Sequence, residues 1–87
     1  MIRTEWMINT TSGPATGEAV SSTAEEAWGA IQGAFKGAMS ATWGDQHEEA
    51  LARLKQAYER EGIPSLEGGN RWAYRASAVW LTLYPEE

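Results

Sequence analysis

The stretch Arg71–Tyr84 reads RWAYRASAVWLTLY, and what it folds into decides the architecture. On a helical wheel Trp72, Ala76, Val79, Trp80 and Leu83 gather on one side, and Arg71, Arg75, Ala78 and Thr82 on the other. Two observations weigh toward strand instead. The segment is rich in Trp, Tyr, Val and Thr, which fit a pleated, half-buried surface. A helix here would also set Arg71 and Arg75 at the positive end of its dipole and Glu86 and Glu87 at the negative end. Strand is the reading adopted, with a third helix over 71–84 as the alternative.

The other end of the chain supplies what such a strand would join. Ile2, Thr4, Trp6, Ile8 and Thr10 alternate with Arg3, Glu5, Met7 and Asn9, a period of two rich in β-branched residues. The turn cluster TSGPATG (Thr11–Gly17) follows, and Glu18–Ser21 reads as a short return strand. A lone hairpin is marginal in water, so a C-terminal strand would complete a small antiparallel sheet for helices to cover.

Two helices lie between. Ser22-Thr23-Ala24-Glu25-Glu26 offers two overlapping capping boxes. Trp28, Ile31, Phe35 and Met39 then form one apolar stripe, with an exit over Ser40–Gly44. Asp45 reads as the N-cap of the second helix, whose stripe is Ala50, Leu51, Leu54, Ala57 and Tyr58. Glu49 and Arg53 are spaced for an i,i+4 pair. Gly62 reads as the left-handed stop, with Ile63 folding back on Tyr58 and Pro64 blocking continuation. The expectation is one small α+β domain over residues 1–87: an N-terminal β-hairpin, two central amphipathic helices and a C-terminal strand. Trp28, Ile31, Phe35, Leu51, Leu54 and Tyr58 are expected at the centre of the core.

Composition narrows the function. The chain has 87 residues, five tryptophans, no cysteine and a formal charge of −5. Large aromatics are one way for so short a chain to build a core. The acidic balance argues against direct binding to a phosphate backbone and suits a partner with a basic surface. No run of about 18 apolar residues offers a membrane span. The first residues lack a signal-peptide apolar region, so a cytoplasmic protein is expected.

The residues that carry chemistry do not assemble into a known set. His47 is the only histidine and shares a face with Leu51, Leu54 and Tyr58, which places it at the edge of the core. With no second histidine and no cysteine, the usual metal-ligand sets cannot form, and neither a metal nor a cofactor is expected. Asp45, Glu48, Glu49, Glu59, Glu61 and Glu67 read as caps and solvated helix faces. No glycine-rich phosphate loop is present. The expectation is a non-enzymatic chain.

Three features read as candidate contact surfaces. RWAYR (Arg71–Arg75) combines two arginines with two aromatics, and Arg71, Trp72 and Arg75 would form a binding patch; in a strand, the aromatics would face the core and the arginines point outward. Glu48, Glu49 and Glu59 line the outer face of the second helix and would meet a basic partner. Gly29, Gly33 and Gly37 recur every four residues on the side of the first helix away from its apolar stripe. Each costs about 1 kcal/mol against alanine in a helix interior. The ridge is compositional drift, or it lies under the C-terminal segment, or it is a docking face for a partner or a second copy. In size, charge and absence of motifs, the chain resembles small accessory proteins of phages and mobile elements, anti-CRISPR proteins among them. That resemblance implies a module that binds and inhibits a host protein. The alternatives are a self-associating structural protein, as a homodimer, and, after it, a small enzyme.

Overall fold

Within Arg71–Tyr84 the chain forms two strands, residues 72–76 and 79–84, that pair with each other. The structure, a computed structural model, describes residues 1–76 and 78–86. The elements are β1 (Ile2–Thr10), β2 (Gly13–Ser21), α1 (Ala24–Ala38), α2 (Asp45–Ala57), α3 (Ile63–Glu67), β3 (Trp72–Ala76) and β4 (Val79–Pro85). The C-terminal stretch therefore supplies two strands of a second hairpin, and the helical alternative is set aside. The four strands form one antiparallel sheet in the order β2-β1-β4-β3. The two hairpins join along β1 and β4, from Ile2 opposite Pro85 to Ile8 opposite Val79. Backbone bonds prolong this seam at both ends: Asn9 N–H donates to the Ala78 carbonyl, and Glu86 N–H to that of Met1, each at 2.8 Å.

The first hairpin turns more tightly than its composition suggests. Only Thr11 and Ser12 link the strands, and Gly13 to Gly17 belong to β2 rather than to a loop. The Thr10 hydroxyl closes the turn, accepting from Ser12 N–H at 3.2 Å and donating to the Gly13 carbonyl at 2.7 Å. Pro14 is tolerated because β2 is an edge strand. Gly17 lies under the Trp6 ring, and a Cβ there would sit 2.6 Å from Trp6 Cζ2.

Helix α1 starts at Thr23, whose hydroxyl accepts from Glu26 N–H at 3.1 Å, while the Glu26 carboxylate accepts from Ser22 N–H. At α2 the N-cap is Gly44, and Asp45 is the first helical residue rather than the cap. His47 takes the reciprocal role, its Nδ1 accepting from Gly44 N–H at 3.1 Å. The expected stop at Gly62 is overturned. Gly62 is right-handed (φ −66°), within a wide π-type turn over Tyr58–Gly62 that leads straight into α3, where Pro64 occupies the first turn. The glycine is required for space. A Cβ on it would meet Trp72 Cε3 at 2.8 Å and Tyr58 Cδ1 at 3.0 Å.

The helices cover one face of the sheet. Ile31, Phe35, Leu51, Leu54 and Tyr58 are buried there with Ile8, Trp72, Val79, Leu81 and Leu83. Trp28 departs from expectation: it is half-buried at the margin, its ring stacked on Tyr58 at 5.5 Å. Tyr58 ties the layers together, donating its hydroxyl hydrogen to the Ala24 carbonyl at 2.6 Å and packing on Trp72. Burial holds its phenol above the ordinary pKa.

The packing around the glycines sets two opposite stability effects. Gly62→Ala should cost about 1–3 kcal/mol through overpacking, whereas replacing Gly29, Gly33 and Gly37 together by alanine should add up to about 3 kcal/mol. Urea melts of both variants check the opposite signs. Thr4 is fully buried and its hydroxyl has no hydrogen-bond partner among the described residues. Thr4→Val should raise stability by about 1 kcal/mol, read from the shift in denaturation midpoint.

Candidate functional site

Because the helices lie on one side, the pleat sends every second residue of the sheet to an uncovered face. That face carries Arg3, Glu5 and Met7 of β1, Glu18 and Val20 of β2, Ala73 and Arg75 of β3, and Trp80, Thr82 and Tyr84 of β4. Trp80 is 47% exposed and Val20 59%.

Cross-strand pairing arranges these side chains in rows. Thr16, Met7, Trp80 and Arg75 lie side by side across the four strands, as do Glu18, Glu5, Thr82 and Ala73. Two arginines stack on aromatic partners directly opposite. The Arg75 guanidinium lies over the Trp80 ring, 5.4 Å from its centroid, and that of Arg3 over Tyr84 at 4.3 Å. Arg3 also pairs with Glu5 and Glu86, and its hydrogen bond to Glu86 leads the effects that hold it protonated. Glu18 and Arg75 form no ion pair among the described residues. A shallow depression of about 280 Å³ runs between Glu5, Met7, Arg75 and Trp80. Tryptophan, tyrosine, methionine and arginine are the side chains enriched where proteins meet.

The candidate contact residues fall in three places. Arg75 is exposed on the β3 side of this face and Arg71 is exposed just before that strand, but Trp72 between them is 6% exposed and belongs to the core. RWAYR is thus split by the pleat, with aromatics inward and arginines outward. Glu48, Glu49 and Glu59 are exposed in the helical layer. Glu48 accepts a hydrogen bond from Trp43 Nε1 at 2.8 Å. The Glu49–Arg53 ion pair expected from their spacing is absent among the described residues. Among the described residues nothing lies within 4 Å of a Cβ added at Gly29, Gly33 or Gly37. That rules out the C-terminal segment lying across the ridge.

Elsewhere the chemistry is sparse. The His47 ring stacks on Trp43 at 5.5 Å at the rim of a 290 Å³ cleft floored by Phe35, Met39 and Val79. A second cleft of about 470 Å³ lies between Trp28, Lys55, Tyr58 and Ile63. Among the described residues no three His, Asp or Glu side chains are grouped to hold a metal ion, and no helix is long and apolar enough to cross a membrane. No protein-family model, curated protein or solved structure matches the chain.

The open face is partly legible in the sequence: the alternation of Ile2–Thr10 assigns Arg3, Glu5 and Met7 to a second side. Trp80 and Glu18 escape that reading, since each acquires its side only through strand pairing. The two tryptophans should therefore separate in mutagenesis. Trp72→Ala should cost about 3–5 kcal/mol, while Trp80→Ala should cost about 1 kcal/mol or less. Thermal melts followed by circular dichroism give both values.

Proposed function

We propose that the chain is a non-enzymatic protein-binding module that acts by covering a surface of a host protein, as small phage inhibitors of the anti-CRISPR kind do. The observation that carries this reading is the uncovered sheet face. Its exposed Trp80, with Met7 and Arg75 beside it and Tyr84 further along β4, matches the anchors on which protein interfaces depend. The face also states what it asks of a partner: an apolar centre, a cation opposite Glu18 and an anion opposite Arg71 and Arg75. The overall charge of −5 adds long-range attraction toward a partner with a basic surface. Glu48, Glu49 and Glu59 lie in the helical layer and contribute to that field from a distance.

The test compares the wild-type chain with Trp80→Ser as baits for host proteins. A protein retained by the first and lost by the second is then purified and titrated against both. The expected result is a loss of affinity of at least about 10-fold for Trp80→Ser, with the fold retained by circular dichroism and weaker wild-type binding at higher salt. Equal affinity of both baits for the purified partner, or salt-independent binding, would contradict the reading.

A further inference from the structure

We infer that the open sheet face pairs with the same face of a second copy, forming a two-fold symmetric dimer. This rests on the reading of that face as a docking surface and names one occupant for it. A symmetric interface requires a patch complementary to itself. This face meets that requirement because its unpaired charges are divided between its two edges.

The division follows from the strand order. Glu18 lies on β2, at one edge, and Arg75 on β3, at the other, with Arg71 exposed just before it. Trp80 and Met7 sit between them on β4 and β1, directly opposite each other. Now place a two-fold axis in the plane of the face, along the strands, between β1 and β4. It lays β2 of one copy over β3 of the other, and β1 over β4. Glu18 then meets the second copy's Ala73, whose small side chain leaves room between the flanking Arg71 and Arg75. Met7 meets the second copy's Trp80, a favourable sulfur–aromatic contact. Both sets of contacts occur twice. An axis running across the strands fails, because it would set Glu18 over the second copy's β2 and Arg75 over its β3, like charge against like.

The same face explains an otherwise costly feature. Glu5 and Glu18 are direct cross-strand neighbours, an arrangement of like charges that weakens a sheet. Arg3 neutralises Glu5, but Glu18 has no ion pair among the described residues. A second copy supplies its missing cations. In extent the face is small. Four strands about 4.8 Å apart, each rising about 3.3 Å per residue over about seven residues, project roughly 400 Å². That sits at the weak end of specific interfaces, which typically bury about 800 Å² of accessible surface on each partner. The dimer is therefore concentration-dependent, and it competes with any host protein that takes the same face.

The experiment measures mass in solution by sedimentation and light scattering. Wild-type chain should be monomeric near about 1 μM and dimeric by about 500 μM, as a small interface implies. Glu18→Arg alone should remain monomeric throughout, because it opposes arginine to arginine at both contacts. The double variant Arg71→Glu/Arg75→Glu should also remain monomeric, for the converse reason. Mixed in equal amounts, the two variants should form a heterodimer, since each of its two contacts then pairs opposite charges. Circular dichroism of each variant confirms that it is folded before mixing. A wild-type mass of one chain at about 500 μM, or a mixture that stays monomeric, overturns the dimer. A monomeric wild type whose Trp80→Ser variant still loses its host protein overturns the second copy while the docking face stands. A wild-type dimer whose Trp80→Ser variant keeps its host protein supports the second copy and overturns the host-protein reading.

Discussion

The pairing of β1 with β4 is the constraint on which the rest of the molecule depends. Each hairpin alone is a marginal two-stranded unit. Joined along Ile2–Ile8 and Val79–Pro85, they become a four-stranded sheet wide enough for two helices to cover. The seam links residues close to opposite ends of the chain. The helices between them can bury their stripes only once this surface exists, because the partners of Ile31, Phe35, Leu51 and Leu54 include Ile8, Val79, Leu81 and Leu83. Contacts so distant in sequence carry a large closure cost and slow folding.

The covered side is packed at the limit of available space. Trp6 lies on Gly17 and Trp72 on Gly62, and at neither glycine is there room for a methyl group. Five tryptophans give a short chain enough apolar bulk, but such rings need flat or empty surfaces to lie on. Glycine in a strand or helix interior is normally a weakness. At these two positions it permits the close approach of an aromatic ring. The three glycines of α1 have no such neighbour, so the same residue type does different work at different sites.

Much of this is readable from the sequence, and what is not readable has physical causes. The period of two in Ile2–Thr10 and the Thr23 cap are plain because each is a local signal. The second hairpin is hidden because residues 77 and 78 are Ser and Ala, with no glycine, proline, asparagine or aspartate to mark a turn. That omission has a large consequence for the site. Either a helix or an unbroken strand would put Trp72 and Trp80 on the same side. In the hairpin Trp72 pairs with Leu83 and Arg75 with Trp80, so even-numbered residues of β3 share a face with odd-numbered residues of β4. Trp72 enters the core and Trp80 joins the arginines. At Gly62 the local stop signal is overridden, because the aromatic pair Tyr58–Trp72 holds a right-handed backbone there. Glu18 is unreadable as a site residue, since its significance comes only from its neighbours across the sheet.

The face left open by this topology is where sequence, packing and function meet. Each hairpin sets some of its side chains in place, Arg75 beside Trp80 and Glu18 beside Glu5, and the β1–β4 seam joins the two groups into one face. The proposed function therefore stands on that seam. Nuclear Overhauser contacts between backbone protons test it directly. Cross-strand contacts are expected for Thr4–Leu83, Trp6–Leu81 and Ile8–Val79, with a second set for Trp72–Leu83 and Arg75–Trp80. A continuous run of sequential amide–amide contacts over residues 72–84, the signature of a helix, with no contacts to β1, would contradict it.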